Sequence, residues 1–271
     1  MIRHVEHVMG TVFSFDVRHG EQAWPAVKAA VALLHRVDEV FSPYRPDSAI
    51  SRLGRGETTP ARCPAEVMDV LALCARAEQA TGGYFSVVPD RRLDPSGLVK
   101  GWAIERASML LRERGAPRHC VNGGGDVRLG SAPEPGRPWR VGIAHPLRPG
   151  DLLTVVEGCD LAVATSGVAE RGPHIIDPHT GRPALELASL TLVGEDLTMV
   201  DAYATAAFAM GDNARDWVRA TPGVEALAVT ASGRTWRTSG FPATTDRPAR
   251  GLGSGCVARR PPAASRHGQP G

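Results

Sequence analysis

The spacing of apolar residues predicts the first elements of the chain. Phe13, Phe15 and Val17 alternate with other residues, which predicts a strand within residues 8–18. Over residues 21–41 apolar side chains recur at steps of three and four, which predicts an amphipathic helix. The chain is therefore expected to begin with a strand that packs against a helix.

Helices and strands continue to interleave along the rest of the chain. Helices are predicted at 64–80, about 98–114, 199–210 and 213–220. Strands are predicted at Tyr84–Val88, 119–121, 127–129, 139–144, 152–157, 161–164, 187–194, 224–230 and 234–238, with a loop over 165–183. Because no regular β–α repeat is present, we expect the α+β class, with mixed or antiparallel sheets and packed helices.

The last thirty residues differ from the rest in composition. Residues 242–271 are rich in Pro, Arg, Gly, Ala and Ser and show no apolar period, so we expect a disordered tail after one domain at 1–241. The tail carries five arginines and one acid, whereas the net charge of the whole chain is +2. The domain itself is therefore close to neutral, which argues against a nucleic-acid-binding surface.

Lysine and cysteine content adds two expectations. Lys28 and Lys100 are the only lysines, a bias typical of GC-rich bacterial genomes, so Lys100 is a candidate for a required ammonium group. The five cysteines show no zinc or CxxC spacing, and we expect reduced thiols. No signal peptide and no apolar run near the ~18 residues of a membrane span is present, which favours a cytoplasmic protein.

Two segments have features of phosphate-binding sites. The glycine-rich turn Asn122–Asp126 can expose backbone N–H groups to a pyrophosphate, although for this segment taken alone a plain hairpin turn is the favoured interpretation. Asp94–Gly101 opens a predicted helix, whose N-terminus favours anions, and it includes Lys100. An ordinary capped helix start fits this second segment as well. Position 128 is Arg, so the turn is not a dinucleotide-binding fingerprint.

A histidine-containing segment, His174–Pro183, offers a candidate general base. Imidazole titrates near neutrality, so His174 could accept a proton from a reacting hydroxyl. His174 and His179 are five residues apart in a loop, which is a weak metal-ligand signal. The alternative is a structured turn in which Asp177 accepts backbone N–H bonds.

A carboxylate and a hydroxyl lie four residues apart in an apolar predicted helix. Asp201 and Thr205 should share one helix face, where their oxygens would suit Mg²⁺. An unpaired carboxylate is costly to bury, so the alternative places Asp201 on the solvated side of the helix.

The order of these motifs resembles that of the ApbE family, the FAD:protein FMN transferases. The resemblance covers about residues 8–240 and rests on MGT (9–11), FSPY…DSAISRL (41–53), TGGYF (81–85), DPSGLVKGWA (94–103), NGGGD (122–126), WRVGIAHP (139–146), ATSG (164–167), HIIDPHTGRP (174–183) and DAYAT (201–205). It implies a T-fold-like architecture and Mg²⁺-dependent transfer of FMN from FAD to a Thr or Ser hydroxyl of an acceptor protein, with release of AMP.

The resemblance also implies roles for individual residues. FAD would be bound by Met9, Tyr44, Tyr84, Phe85, Ser86, Asp94, Lys100, Asn122, Gly124, Gly125, Asp126, Ile175, Asp177 and Ala204. Mg²⁺ would be held by Asp201, Thr205 and a carbonyl near Gly97, with His174 and Lys100 as catalytic groups. Ser86 replaces the family's usual Asp, and the segment 87–93 is shorter than usual, so the wall of the FAD pocket is expected to differ.

Two other functions stay open at this point. Water in place of the acceptor hydroxyl would make the protein an FAD pyrophosphatase, and loss of chemistry would leave an FAD-binding protein. A flavin-dependent oxidoreductase is disfavoured because no nicotinamide-binding fingerprint is present. The sequence does not name the acceptor protein.

Overall fold

An eight-stranded antiparallel sheet forms the centre of the molecule. The computed structural model describes residues 1–88, 92–169, 172, 174–243 and 256–257. Its strands are β1 (Ile2–Val8), β2 (Thr11–Val17), β3 (His119–Gly123), β4 (Asp126–Leu129), β5 (Trp139–Ala144), β6 (Leu152–Gly158), β7 (Ala162–Gly167), β8 (Ile176–Asp177), β9 (Arg182–Pro183), β10 (Leu187–Gly194), β11 (Glu225–Thr230), β12 (Thr235–Arg237) and β13 (Cys256–Val257). The large sheet has the order β1-β2-β3-β4-β7-β10-β11-β12.

Helices cover one face of this sheet. They are α1 (Trp24–Phe41), α2 (Ala49–Gly54), α3 (Ala65–Ala80), α4 (Ser96–Glu113), α5 (Leu197–Ala209) and α6 (Ala214–Ala220). The main core lies between them and the sheet, and it includes Phe13 and Phe15 from β2 and Leu98 and Ile104 from α4. The period-two pattern of β2 therefore places its aromatic side chains toward the helices.

A small sheet covers the opposite face. It has the order β13-β5-β6 and packs a second core around Trp139, Val141 and Val156. Because both faces of the large sheet are covered, all eight residues of β10 are buried. The helices, the large sheet and the small sheet form three layers, and the α+β prediction is confirmed.

Several predicted boundaries are wrong for local reasons. The segment Tyr84–Val88 is not a strand, because Gly82 and Gly83 take positive φ angles and the Thr81 hydroxyl accepts the Phe85 amide at 3.0 Å. Sequence reasoning missed β1, whose residues between Ile2 and Val8 are largely polar and only partly buried. The predicted loop at 165–183 contains the end of β7 and the two-residue strands β8 and β9.

Two expectations about the tail and the thiols need correction. In the tail, Ala243 pairs with Val156, and β13 pairs in parallel with β5, so the expected lack of regular structure does not hold at residues 256–257. The other residues of 244–271 lie outside the described part of the chain. Cys63, Cys74 and Cys159 are free, as expected, whereas Cys120 is disulfide-bonded. Within the described residues, no helix combines the length and apolar character that crossing a bilayer requires.

Candidate active site

Three charged side chains, each from a different helix or strand, meet where the helical layer packs on the large sheet. Lys100 on α4 has its Nζ 2.5 Å from Asp126 Oδ2 on β4 and 3.5 Å from Asp201 Oδ1 on α5. The carboxylate side chains are 1% and 5% exposed, and that of Lys100 is 29% exposed. We refer to Lys100, Asp126 and Asp201 as the charged cluster. Its ammonium group lies at the border between the buried carboxylates and solvent.

The close approach of α4 and α5 places Asp201 in this cluster. The Gly101 amide donates to Asp201 Oδ2 at 2.9 Å. A Cβ at Gly101 would lie 2.5 Å from the Leu197 carbonyl oxygen and 2.7 Å from Asp201 Cβ, both too close for any side chain. Glycine at 101 is therefore a condition for the contact between the two helices. The alternative that Asp201 faces solvent is wrong.

Burial changes the protonation of Asp201. Desolvation and the negative Asp126 together raise the pKa of its carboxyl to about 7, against the opposing effects of the Lys100 ammonium and the Gly101 amide. When both carboxyl groups are ionised, the charged cluster holds two negative charges against one ammonium group, so one negative charge remains unbalanced. An additional cation beside Asp201 would relieve that imbalance.

Oxygen donors suited to such a cation lie around Asp201. In an α-helix the amide of Gly101 faces the carbonyl of Gly97, so that carbonyl oxygen lies within about 6 Å of the carboxylate bound to the same amide. Thr205 lies one helical turn after Asp201 on α5, and its side chain is partly exposed. Thr205 and the Gly97 carbonyl therefore stay predicted metal ligands beside Asp201. Within the described residues no group of three or more His, Cys, Asp or Glu side chains is placed to hold a metal, so a site here depends on hydroxyl and carbonyl oxygens.

The glycine-rich turn joins β3 to β4 and fixes Asp126. Gly124 donates its amide to the Val12 carbonyl at 3.1 Å, and Gly125 donates to Asn122 Oδ1 at 3.0 Å. Both glycines have positive φ angles, 60° and 100°. Two of the amides considered for pyrophosphate binding are therefore engaged within the protein, and the hairpin-turn alternative describes the turn. Asp126 Oδ1 in turn accepts the Thr165 amide at 3.0 Å.

Residues that precede α4 hold its first turn in place. Asp94 Oδ1 accepts the amide of Ser96, the first residue of α4, at 3.0 Å, which holds the turn that leads into the helix. Phe85 is 2% exposed, and its ring edge lies 3.3 Å from the position of a Cβ on Gly97. The Phe85 ring therefore packs against the first turn of α4.

A backbone hydrogen bond brings Val87, at the start of the shortened segment 87–93, close to the start of α4. The Asp94 amide donates to the Val87 carbonyl at 2.7 Å. The Arg92 guanidinium donates to the Pro43 carbonyl. This contact links the loop that contains Tyr44 to the residues just before α4. The Tyr44 side chain is 92% exposed and is available to a ligand. Ser86 uses its hydroxyl locally, because Oγ accepts the Val88 amide at 3.1 Å.

The β1–β2 turn lies beside the glycine-rich turn. Met9 has a φ angle of 54°, and its side chain is partly buried against the main core. A Cβ on Gly124 would lie 2.8 Å from Thr11 Oγ1, so these two turns are in contact. Ala204, also expected at the ligand, is 0% exposed, and its contact with a ligand stays a prediction.

The histidine-containing loop has its own internal contacts. His174 is exposed, and its Nδ1 lies 2.9 Å from the Gly172 carbonyl oxygen, which assigns the proton to Nδ1 and leaves Nε2 as a proton acceptor. Asp177 accepts the His179 amide and the Thr180 hydroxyl at 2.9 and 2.8 Å, which is the structured-turn alternative. The His179 ring packs edge-on against Tyr84 with a centroid separation of 4.4 Å. Ile175 is half-buried on the main core.

Sequence reasoning missed two groups beside the charged cluster. Thr165 holds Asp126 through its amide and contacts the Thr191 hydroxyl at 2.9 Å. Glu105 on α4 pairs with Arg128 at 2.8 Å, although Arg128 was noticed only as a departure from a glycine pattern. In the sequence, the only signal for this ion pair was the acidic residue Glu105 itself, five positions after Lys100.

Comparisons with known proteins identify the family of the chain. The model of the ApbE family matches residues 9–89 and 86–228. Curated relatives with the name FAD:protein FMN transferase include one from Vibrio cholerae, 32% identical over 135 residues, which cover 46% of this chain and 40% of the relative. The relative from Escherichia coli K12 is 29% identical over 162 residues, which cover 56% of this chain and 46% of the relative. The chain thus spans less than half the length of these two relatives.

Solved structures show the same fold. The ApbE protein from Thermotoga maritima superposes with a TM-score of 0.76 at 23% identity, covering 89% of this chain and 97% of that one. The flavin transferase ApbE from Vibrio cholerae has a TM-score of 0.75 at 21% identity, with coverage of 89% and 97%. Together with the family match across most of the domain, these findings show that the chain belongs to the ApbE family.

Proposed function

We propose that the protein transfers FMN from FAD to a Thr or Ser hydroxyl of an acceptor protein, in a Mg²⁺-dependent reaction that releases AMP. The observation that carries the proposal is the charged cluster, in which Lys100 borders two buried carboxylates with a surplus of negative charge. The relatives whose names describe this activity share the family of the chain.

The residues around Asp201 fit Mg²⁺ by their chemistry. A carboxylate, the Thr205 hydroxyl and the Gly97 carbonyl are hard oxygen donors, which Mg²⁺ prefers. When bound, Mg²⁺ would neutralise charge on phosphate oxygens. The Lys100 ammonium would bind a phosphate while Asp126, 2.5 Å from its Nζ, orients it.

The remaining steps use groups of the chain. The acceptor hydroxyl would attack the phosphorus on the FMN side, forming one P–O bond as the P–O bond to AMP breaks. His174 would take the hydroxyl proton on Nε2, since its Nδ1 is held by the Gly172 carbonyl. Tyr44 would contact FAD from the loop next to Asp94. Positioning and electrostatics dominate such phosphoryl transfers, and loss of one stabilising group costs about 10²–10³ in rate.

Product analysis tests the proposal against its alternatives. Purified protein is incubated with FAD and Mg²⁺, with and without a candidate acceptor protein that presents a Thr or Ser hydroxyl, and AMP, FMN and protein-bound flavin are measured. Transfer gives AMP only with acceptor, in equal amount to covalent flavin. AMP with free FMN would show a pyrophosphatase, and bound FAD without AMP would show a binding protein.

The cellular location and the acceptor stay predictions. Disulfide bonds are rare in reducing compartments, so the bonded Cys120 weighs against the cytoplasmic location expected from the sequence. A protein acceptor is expected from the names of the relatives, and a Thr or Ser hydroxyl on it only from the family resemblance of the sequence.

A further inference from the structure

A second set of polar contacts lies beyond the charged cluster along α4. Glu105 Oε2 lies 2.8 Å from Arg128 Nε and accepts the Leu197 amide at 2.9 Å. The side chains of Glu105 and Arg128 are only 14% and 11% exposed. Arg128 also donates through Nη1 to the Leu129 carbonyl at 2.9 Å. Glu105 therefore binds two partners at once in a region that contains little water, where charge-assisted hydrogen bonds are strong.

These contacts join the same three elements as the charged cluster. Glu105 follows Lys100 by five residues on α4, a rise of about 7.5 Å. Arg128 follows Asp126 by two residues on β4, about 7 Å along the same strand face. On α5 the four residues from Leu197 to Asp201 rise about 6 Å. The two sets of contacts therefore link the same three elements at points about 6–7.5 Å apart, with the charges of α4 and β4 reversed.

Glu105 also sets the position of the start of α5. Leu197 is the first residue of that helix, and its amide has no partner within the helix. The N-cap residue Asp196 accepts the Thr198 amide at 2.9 Å, whereas Glu105 on α4 accepts the amide of the preceding residue, Leu197. Two carboxylates thus hold two consecutive amides at the start of α5. Because a helix moves as a rigid body over one turn, a shift at Leu197 is transmitted to Asp201.

We propose that Glu105 is a positioning residue for the Mg²⁺ site, which holds β4 and α5 against α4 so that Asp126, Asp201 and Lys100 keep their mutual distances. The inference rests on the proposed function for its kinetic consequence, whereas its effect on cation binding does not require turnover. A purely structural role would predict a loss of stability with unchanged cation affinity.

The experiment compares three variants with a matched control. Glu105→Ala removes both contacts, Glu105→Gln keeps an oxygen for the Leu197 amide but loses the charge, and Glu105→Asp keeps the charge on a shorter side chain. The control Asp160→Asn removes the ion pair of Asp160 with Arg112, which also involves α4 but lies on the surface. Asn tolerates the positive φ of 51° at position 160.

Binding of Mn²⁺, used as a paramagnetic probe for the Mg²⁺ site, is titrated by electron paramagnetic resonance without FAD. We expect the Mn²⁺ dissociation constant to rise about tenfold in Glu105→Ala, the size of effect seen when supports of metal ligands are removed. A smaller rise is expected in Glu105→Gln, partial recovery in Glu105→Asp, and no change in Asp160→Asn. In the transfer assay kcat should fall most in Glu105→Ala, less in Glu105→Gln and Glu105→Asp, and not at all in Asp160→Asn. KM for the acceptor protein should stay constant.

An unchanged Mn²⁺ affinity in a folded Glu105→Gln or Glu105→Ala protein would overturn the inference, whatever its melting temperature. Glu105→Gln decides the matter if Glu105→Ala does not fold. Wild-type protein that binds no Mn²⁺ would also overturn it. Wild-type protein that binds Mn²⁺ but transfers no FMN would contradict the proposed function and leave the comparison of affinities valid.

Discussion

Replacing Gly101 by alanine tests the contact between α4 and α5 on which the site depends. The new methyl group would lie 2.5 Å from the Leu197 carbonyl oxygen and 2.7 Å from Asp201 Cβ. The first of these neighbours is backbone, so relief requires the two helices to separate. The Gly101 amide, which donates to Asp201 Oδ2 at 2.9 Å, would move with α4.

The expected size of the effect follows from two opposing contributions. Overpacking of this kind costs about 1–3 kcal/mol. Alanine in place of glycine favours a helix by about 1 kcal/mol. The control Gly54→Ala lies at the end of α2, where a Cβ would meet Leu93 Cβ at 3.3 Å and no backbone atom closer than 3.9 Å. Because both variants replace a helical glycine by alanine, the gain in helix propensity cancels between them. We therefore expect Gly101→Ala to be about 1–3 kcal/mol less stable than Gly54→Ala.

Urea denaturation followed by far-UV circular dichroism measures this difference, and the transfer assay measures its consequence. A displacement of about 1 Å at a reacting group can cost about 10² in rate, so Gly101→Ala should lose most of its activity while Gly54→Ala keeps it. Equal stability and equal activity of the two variants would refute the assigned role of the helix contact.

Three further predictions concern single histidine and tyrosine residues. Burial lowers the pKa of His119 from 6.5 to about 4, and its Nδ1 donates to the Ala116 carbonyl at 2.7 Å. The neutral ring thus contributes stability that is complete above about pH 6.5 and is lost as the pH falls toward 4, by up to about 3 kcal/mol. Denaturation of wild type and His119→Gln at pH 7.5 and 4.5 measures it, and an equal pH dependence in both would contradict the assignment. His174→Ala should lower the rate of transfer by about 10²–10⁴ without lowering stability, because the side chain is exposed. Wild-type rates in that variant across pH 6–9 would remove the base from the mechanism. Tyr44→Ala should raise KM for FAD and change stability by less than about 0.5 kcal/mol, since the ring is 92% exposed. A fluorescence titration with FAD that shows unchanged affinity would remove Tyr44 from the binding site.

Sequence patterns predicted the fold where one physical signal dominated. The strands at 139–144 and 187–194 were placed with the correct bounds, because their apolar residues are bounded by turn residues. The first strand was missed because it pairs through its backbone with β2 while its side chains remain largely polar. Aromatic residues at 84–85 suggested a strand, but the positive φ angles of Gly82 and Gly83 and the Thr81 hydroxyl produce a turn.

The candidate site was predictable in its members and not in their contacts. Asp201 and Thr205 follow from helical spacing, and Lys100 from its place at a helix start. The meeting of Lys100 with Asp126 and Asp201 depends on the packing of α4 and α5 against β4, over separations of 26 to 101 residues, which no local pattern encodes. The use of the Gly124 and Gly125 amides within the protein was likewise visible only in three dimensions.

The most direct test of the central claim, that Asp201 of the charged cluster holds the Mg²⁺ required for FMN transfer, is the Mg²⁺ dependence of protein flavinylation in Asp201→Asn. The variant keeps an oxygen that can accept the Gly101 amide but loses the charge that would hold the cation. We predict that covalent flavin formation and AMP release both fall by at least about 10² at any Mg²⁺ concentration, while Asp160→Asn retains the wild-type curve. Wild-type flavinylation by Asp201→Asn with an unchanged Mg²⁺ midpoint would contradict the account.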